Sequence, residues 1–345
     1  MSTLLLSLVL SASAGANPAA APVEVPLTFR TFREWDVSLP AEQFLPLGNL
    51  LPLFGTDGLA VGVGEGGLSF DRDGDGTFDA TVADTDQEHP TRLLTFRLNT
   101  DEGVRDFAVR AANKGRWEFA PAGAVEGRIG KTRFLVFDQN GNGRFDDYGQ
   151  DAMIVGRGKA AGFLSHTVVV DGALKSFSIE PDGSTALISD FVGETGKLDL
   201  GVDLETRAKL RSVVLIDEAT QNSFELSASL VSDGGLDLPV GKYTLHSGEL
   251  VLGKSHATLA TGRAGAIEVT PGSTTSLAWG GPVKAEFAYQ RSGGQLQVGP
   301  SDIAYFGRAG EQYSDFMPLG SSPQFVVKDR VSGEVLVDFV FPGNC

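Results

Sequence analysis

The chain has 345 residues, of which 41% are hydrophobic, so it is long enough for two or three domains with substantial cores. Its 44 acidic residues outnumber its 28 basic residues and give a formal net charge of −16 at pH 7. This charge opposes binding to nucleic acid and to anionic lipid, and it makes hard cations the natural partners.

Residues 1–16 have the pattern of a secretory signal peptide. An apolar run over residues 4–10 is followed by Ala-x-Ala at 12–14 and again at 14–16. No Lys or Arg precedes the run, so a disordered Ala-rich tail is the alternative. We expect a secreted or periplasmic protein with a new N-terminus within residues 14–17.

No later segment reaches the roughly 20 apolar residues that span a bilayer, so we expect no membrane span. The single cysteine, Cys345, is the last residue, and one thiol cannot close a loop within its own chain. Whether it pairs with another chain is open. An exported fold without internal disulfides needs another means of stiffening.

Short alternating segments rich in Val, Leu, Phe and Thr lie between 44 glycines and 16 prolines. This pattern predicts an all-β fold of two or three β-sandwich domains. The clearest predicted strands are 92–98, 131–137, 212–216, 248–252, 324–328 and 334–341, and one short helix-like patch covers 204–210. The alternation of apolar and polar residues stops at two places, which set approximate boundaries between residues 25–170, 171–281 and 282–345. The last region is small enough to pack on the second.

The first region contains an unusually acidic stretch, LSFDRDGDGTFDATVAD, at residues 68–84. It recurs without a gap as LVFDQNGNGRFDDYGQD at residues 135–151, and the copies share Leu, Phe, Asp, Gly, Gly, Phe, Asp and a final Asp. In Asp-x-Asp-x-Asp-Gly, side chains at positions 1, 3 and 5 converge on one oxygen-seeking cation. Glycine at position 6 permits the turn, and the carbonyl at position 7 adds a ligand.

Both copies supply these residue types, at positions 1, 3, 5, 7, 9 and 14. The predicted ligands of the first loop are Asp71, Asp73, Asp75, the Thr77 carbonyl, Asp79 and Asp84. Those of the second loop are Asp138, Asn140, Asn142, the Arg144 carbonyl, Asp146, Asp151 and the additional Asp147. The aromatic residue at position 8, Phe78 or Phe145, is predicted to anchor each loop to the core.

The loops resemble the DxDxDG loops of EF-hands, dockerins, thrombospondin type 3 repeats and the β-hairpins of integrin-like propellers. This resemblance covers the two loops alone and implies Ca²⁺ as the ligand. Position 12, a bidentate Glu in EF-hands, is Val82 or Gly149, and the flanks are strand-like, so we expect calcium-binding loops on β-hairpins. A solvated turn of Asp, Asn and Gly is the alternative for each copy.

Two amides replace carboxylates in the second loop, so we expect it to bind calcium more weakly than the first. Both are expected to bind in the extracellular range, about 10⁻⁴ to 10⁻³ M. Bound calcium would neutralise the crowded aspartates and cross-link each loop, as disulfides do in other exported proteins.

The segment LPVGKYTL at residues 238–245 resembles the LPxGxYxL edge of transthyretin-like and carboxypeptidase-regulatory-like β-sandwiches. In those families a Pro-Gly turn feeds a strand that is anchored by a buried tyrosine. The resemblance reaches back only over residues 212–230. It implies a seven-strand, Ig-like accessory module without catalysis in region 171–281, and an ordinary turn before a strand is the alternative.

Catalytic motifs are scarce. No Gly-x-Ser-x-Gly, His-Glu-x-x-His or dinucleotide-binding glycine pattern occurs. His246 and His256 flank a predicted strand and make a conceivable zinc pair without a third ligand nearby, so ordinary edge histidines are the simpler interpretation. Trp35, Trp117 and Trp279 are scattered along the chain, and we expect core residues rather than a sugar platform.

These patterns lead to one functional hypothesis and one alternative. We expect an exported calcium-binding β-sandwich protein that acts as a binding, adhesion or scaffold module for an extracellular protein or glycan, with calcium structural. The alternative is an exported hydrolase of polysaccharide or peptide, with a carboxylate or histidine site assembled from distant residues.

Overall fold

The computed structural model describes residues 21–35, 37, 39–51, 58–64, 66–72, 75–100, 103–158, 160–227, 234–297, 299, 302–315 and 324–340. Within these ranges the chain forms strands β1 to β34 and no helix, which confirms the all-β prediction. The prediction of a helix-like patch at 204–210 is wrong, because these residues form one short strand and the start of a long one. The expected signal peptide, Asp73 and Cys345 lie outside the described residues.

The first core is enclosed by two antiparallel sheets built from residues 45–121. Strands β1 to β10 are Val23–Pro26, Thr28–Thr31, Leu45–Pro46, Leu50–Leu51, Leu59–Gly64, Gly67–Asp71, Ala80–Ala83, Arg92–Thr100, Gly103–Asn113 and Trp117–Pro121. One sheet has the order β4-β5-β6-β7, and the other has the order β3-β10-β9-β8. Alternate apolar side chains of both sheets, such as Phe70 and Phe96, meet between them.

The second core uses β1 and β2 together with the strands that follow the first core. Strands β11 to β17 are Gly123–Ile129, Thr132–Phe137, Ala152–Val155, Gly162–Phe163, Thr167–Val170, Ala173–Ile179 and Thr185–Asp190. The sheets have the orders β1-β17-β16-β15 and β14-β13-β12-β11-β2. Because β2 pairs with β11, with Thr31 opposite Gly123, the whole first core is inserted between two neighbouring strands of this sheet.

Strand β12 of this second sheet is buried on both faces. Phe134 and Val136 enter the second core, whereas Leu135 and Phe137 contact a smaller cluster that Phe32 and neighbouring residues cover. The sequence TRFLVF, apolar at consecutive positions, fits this two-sided burial. The loop that follows β12 therefore starts inside the protein.

The third core lies between residues 195 and 314. Strands β18 to β32 are Thr195–Asp199, Leu204–Glu205, Lys209–Asp217, Ser223–Ser227, Leu236–Pro239, Gly241–Leu252, Ser255–Ala260, Ile267–Val269, Thr274–Ser276, Trp279–Gly280, Lys284–Phe287, Gln290–Ser292, Gln295–Gln297, Ile303–Phe306 and Gln312–Ser314. The main sheet has the order β21-β20-β23-β24-β32-β31-β28, with β25 also on β23. It faces the smaller sheet β22-β18-β26, while β19 pairs with β27 and β29 with β30. A final hairpin joins β33, Gln324–Lys328, to β34, Val335–Val340.

Strand pairing changes the region boundaries expected from the sequence. The boundary at 170/171 falls in the turn of the β15–β16 hairpin, so the sheets place the break after β17 instead. Region 25–170 holds two separate cores rather than one. Strands β28, β31 and β32 continue the sheet of β20, β23 and β24.

Tyr243 secures the point where the chain crosses between the two sheets of the third core. Strand β22 pairs with β18, and β23 pairs with β20, so the crossing occurs around Val240. Tyr243 is fully buried, and its hydroxyl donates to the carbonyl oxygen of Pro239 at 2.6 Å. The buried tyrosine implied by the LPxGxYxL resemblance is therefore present.

Replacing Tyr243 with phenylalanine should lower the free energy of unfolding by about 1–2 kcal/mol, because the Pro239 carbonyl loses its buried donor while the ring still packs. Urea denaturation of the purified protein measures this difference. The matched control is Tyr289→Phe, which changes an exposed tyrosine and should alter stability by less than about 0.5 kcal/mol. Equal effects of the two variants would contradict the role assigned to the hydroxyl.

Candidate metal centre

Both acidic loops lie at the ends of β-hairpins, as predicted. The first loop connects β6 to β7, and the second connects β12 to β13. Phe70 pairs with Ala80, so Asp71 and Asp79 close the first loop; Phe137 pairs with Ala152, so Asp138 and Asp151 close the second. The ladder hydrogen bonds thus bring two aspartates together at the base of each loop.

The backbone hydrogen bonds make Asp151 the structural counterpart of Asp79. Oδ1 of Asp79 accepts the N–H of Arg72 at 3.0 Å, and Oδ1 of Asp151 accepts the N–H of Gln139 at 3.1 Å. Each donor directly follows the first aspartate of its loop. The gapless sequence alignment instead pairs Asp79 with Asp146. It fails because the second loop continues through residues 147–150 before its return strand begins.

Asp84 is not brought to the first loop. Its N–H donates to the carbonyl of Gly66 at 3.2 Å, and its Oδ1 accepts from Asn113 Nδ2 at 3.1 Å. Strand β7 lies between Asp79 and Asp84, and its four residues are about 13 Å long. The expected ligand role of Asp84 at position 14 is corrected accordingly: Asp84 is held at the opposite end of the hairpin.

Five side chains of the second loop form one hydrogen-bonded cluster. Oδ1 of Asp138 accepts the N–H groups of Gly141 and Asn142, and Oδ2 accepts that of Gly143, at 2.8–3.0 Å. Oδ2 of Asp147 accepts Nδ2 of Asn140 at 2.9 Å and also Nδ2 of Asn142. Oδ2 of Asp151 accepts the N–H of Asp147 at 3.4 Å. The members are Asp138, Asn140, Asn142, Asp147 and Asp151.

The two aspartates at the base of this cluster are buried because β12 is buried on both faces. Asp151 is 0% and Asp138 8% exposed. The pKa of Asp138 is raised to about 7. Burial is the largest cause and the charge of Asp147 adds to it, whereas the N–H groups that donate to the carboxylate lower the pKa. Burial raises the pKa of Asp151 to about 9, with added repulsion from Asp138 and Asp147. In the described part of the chain, no ion pair offsets either group.

Arg144 is the nearest cation in the loop sequence, and it pairs with Asp146. Its Nε and Nη2 donate to the two carboxylate oxygens of Asp146, both at 3.0 Å. Position 9 of the first loop shows a similar pairing, because Asp79 forms a salt bridge of 3.3 Å with Arg72. Both predicted position-9 ligands therefore have an arginine as their partner.

The first loop is more open to solvent than the second. Oδ2 of the buried Asp71 accepts the N–H of Gly76 at 2.9 Å, which matches the bond from Gly143 to Asp138. Asp75 accepts the N–H of Thr77 at 2.7 Å. The N–H of Arg72 holds the pKa of Asp79 below its usual value. The described residues of the first loop thus repeat two main-chain hydrogen bonds of the second loop without its deep burial.

The aromatic residues at position 8 differ between the loops. Phe145 is buried in the second core, where its ring meets that of Phe29 edge-on at 6.4 Å. Phe78 is 51% exposed and lies against Gly62. The predicted anchor is confirmed for Phe145 and wrong for Phe78, because the Phe78 ring lies against Gly62, on the face of β5 opposite the residues that enter the first core.

Within the described residues, no group of three or more His, Cys, Asp or Glu is already arranged to hold a metal ion. The reason lies in the hydrogen bonds of the loops. The Oδ1 atoms of Asn140 and Asn142 accept main-chain N–H groups, and their amide nitrogens face Asp147. Binding a cation requires these oxygens to turn toward the loop interior. The donor types, carboxylate and amide oxygen, nevertheless fit a hard cation such as Ca²⁺.

The other candidate residues lie apart from this centre. His256 pairs with Val251, five positions along β23 from His246, so the two histidines do not face each other. The ring of His246 packs edge-on against Phe163 instead. Trp117 and Trp279 are core residues as expected, and Trp35 packs against Phe137.

Comparison of the chain with models of known families, with curated proteins and with solved structures finds no match. No helix that could cross a membrane occurs in the described ranges.

Proposed function

We propose that this protein is an exported, calcium-binding β-sandwich protein in which calcium is structural and the second acidic loop is the principal site. The observation that supports the proposal is the placement of Asp138 and Asp151 side by side, buried, at the base of the β12–β13 loop. Secretion or periplasmic export rests on the pattern of residues 1–16 alone.

Buried carboxylates are costly unless a cation or a proton neutralises them. The raised pKa values of Asp138 and Asp151 express this cost, since repulsion among the aspartates contributes to both. A divalent cation would neutralise two charges at once, whereas Arg144 is engaged by Asp146. An ion in the loop would therefore remove the least favourable electrostatic feature of the second core.

Calcium is the cation that this donor set favours. The side chains of the cluster offer oxygen ligands, and the loop contributes neither sulfur nor imidazole. Asp138, Asn140, Asn142, Asp147 and Asp151 would hold the ion, with the Arg144 carbonyl as a further donor. Bound calcium would fix the loop against β12 and β13 and so stiffen the second core.

The structural correspondence also changes the expected order of the two sites. Weaker binding by the second loop was expected because Asn140 and Asn142 replace aspartates. Asp138, Asp147 and Asp151 give the second loop three carboxylates. Because Asp138 and Asp151 are buried, solvent and salt screen their charges less than the charges of the exposed first loop. We therefore infer that the second loop binds calcium at least as tightly as the first.

Calorimetric titration of the mature protein with calcium, together with thermal melting in EGTA, tests the proposal. We expect saturable binding and a melting temperature that rises with calcium concentration, because the ion binds the folded state. Magnesium at equal concentration should have a smaller effect, since it demands a tighter octahedral site. Melting curves that coincide in calcium and EGTA would remove calcium from the proposal.

We propose a binding, adhesion or scaffold role toward an extracellular protein or glycan for these sandwiches, with an exported hydrolase as the alternative. The hydrolase alternative needs converging carboxylates or histidines. A screen of glycan and peptide substrates on the same calcium-loaded protein separates the two, and turnover would favour the hydrolase.

A further inference from the structure

A cavity of about 250 Å³ lies between the second and third cores. Strands β13, β14 and β15 form one side, and β21 forms the other. Its walls are partly apolar and partly polar, and three polar side chains line it, Arg157, Ser223 and Glu225. The apolar lining comprises Met153, Val155, Phe163, Val168, Val169 and Phe224.

Strand β21 presents its polar face to this cavity. Phe224 and Leu226 point into the third core, so the alternating residues Ser223 and Glu225 point toward the second. The strand is fixed in this position by hydrogen bonds across the seam between the cores. The N–H of Ser223 donates to Oγ of Ser165 at 2.7 Å, and the N–H of His166 donates to Oδ1 of Asn222 at 2.9 Å.

Two polar atoms of the lining residues, Oγ of Ser223 and Oε1 of Glu225, are buried and have no hydrogen-bond partner among the described residues. Ser223 is only 7% exposed. Buried polar groups in folded proteins are nearly always hydrogen-bonded, and an orphaned one lowers stability. Burial also raises the pKa of Glu225 to about 7. Within the described residues, the Glu225 carboxylate therefore lies at the cavity without a hydrogen-bond partner.

Arg157 supplies a charge of opposite sign at the same cavity. It lies in the turn after β13 and is exposed, so it marks the open side. In the described part of the chain, no ion pair joins Arg157 to Glu225. A carboxylate and a guanidinium that line one cavity without neutralising each other match the two charges of a zwitterion.

We propose that this cavity binds a small apolar α-amino acid or a zwitterion of the same chemistry. The ammonium group of the ligand donates to the Glu225 carboxylate, its carboxylate accepts from Arg157, and its side chain contacts the apolar wall. The cavity is smaller than the roughly 300–1,000 Å³ of sites for drug-sized ligands, which restricts the ligand to a small molecule.

Calorimetry and saturation-transfer NMR on the full chain test the proposal with three related probes. L-Leucine carries both charged groups, isopentylamine lacks the carboxylate, and 4-methylpentanoate lacks the ammonium group. We expect L-leucine to bind saturably, isopentylamine to bind at least tenfold more weakly, and 4-methylpentanoate to bind least, because Glu225 repels it. Absence of saturable L-leucine binding, or equal binding of all three probes, would overturn the proposal.

Single substitutions test which side chains contact the bound ligand. Glu225→Gln should weaken L-leucine binding at least tenfold, the loss of about one charge-assisted hydrogen bond. Arg157→Gln should weaken L-leucine binding but leave isopentylamine binding unchanged. Glu249→Gln removes the same charge from a carboxylate that pairs with Arg211 on the surface, and it should leave L-leucine binding unchanged. Equal affinities for Glu225→Gln and Glu249→Gln proteins would refute the assignment, and melting curves verify that both variants fold.

Discussion

Replacing Asp151 with asparagine should stabilise the protein in EGTA and destabilise it in excess calcium. Without calcium, the variant removes a buried carboxyl group that Asp138 and Asp147 repel, and it retains nearly the same shape. With calcium, the variant lacks a charged ligand. The wild-type gain at a hundredfold excess over Kd, about 2.7 kcal/mol, should be mostly lost. Thermal melts of both proteins in EGTA and in calcium at pH 8 measure the reversal.

The pH dependence provides a second measurement on the same pair of proteins. Asp138 and Asp151 have folded-state pKa values of about 7 and about 9, above the ordinary value of 3.8. Groups shifted upward favour the folded state at low pH and lose that contribution as pH rises through the folded pKa. In EGTA, stability should therefore fall between pH 5 and pH 9. Calcium should reduce this fall, and so should Asp151→Asn.

Two control variants distinguish the structural correspondence from the gapless sequence alignment. Asp79→Asn changes the counterpart in the first loop, but there the pKa is lowered by the N–H of Arg72, so the variant should destabilise the protein in EGTA. Asp84→Asn should leave the calcium response unchanged, since Asp84 lies beyond β7. A calcium response reduced as much by Asp84→Asn as by Asp151→Asn would contradict this correspondence.

Replacing Glu311 with alanine should lower the free energy of unfolding by about 3–5 kcal/mol, because several donors lose a shared acceptor. Glu311 is fully buried in the third core. Oε1 accepts the N–H of Gly280 at 2.7 Å and the hydroxyl of Tyr313 at 3.0 Å, and Oε2 accepts the N–H of Ala309 at 3.0 Å. The alanine variant removes the carboxylate acceptor from two buried donors, at Gly280 and Tyr313, and from the half-buried N–H of Ala309.

Urea denaturation of Glu311→Ala and Glu311→Gln measures this effect. Glutamine keeps one oxygen for Gly280 and Tyr313 but places an amide N–H₂ near the N–H of Ala309, so its cost should be intermediate. A loss below about 1 kcal/mol for the alanine variant would show that water replaces the carboxylate at these donors.

The local features of this protein could be predicted from the sequence, whereas the features that depend on distant pairing could not. Alternation and turn residues identify strands such as β8 and β33 and place both acidic loops on hairpins. The correspondence of Asp79 with Asp151 depends on the register of each hairpin, which five extra residues in the second loop alter. No local pattern indicates that β2 pairs with β11 across the intervening chain.

The cavity at β21 could not have been found for a similar reason. The sequence SFELS alternates polar and apolar residues, which is the pattern of a strand with one face in water. Ser223 and Glu225 are removed from water because a neighbouring core packs over that face. The position of this core is set by Ser165 and His166, which lie far from β21 in sequence.

The insertion of the first core between β2 and β11 constrains the order in which the chain can assemble. Thr31 and Gly123 must meet for β2 to join its sheet, and closing so long a stretch of unfolded chain is entropically unfavourable. Once residues 45–121 have folded, their ends are already near each other and the effective span is short. Residues such as Phe70, which lies in the core of the inserted unit, thereby influence how fast a remote sheet is completed.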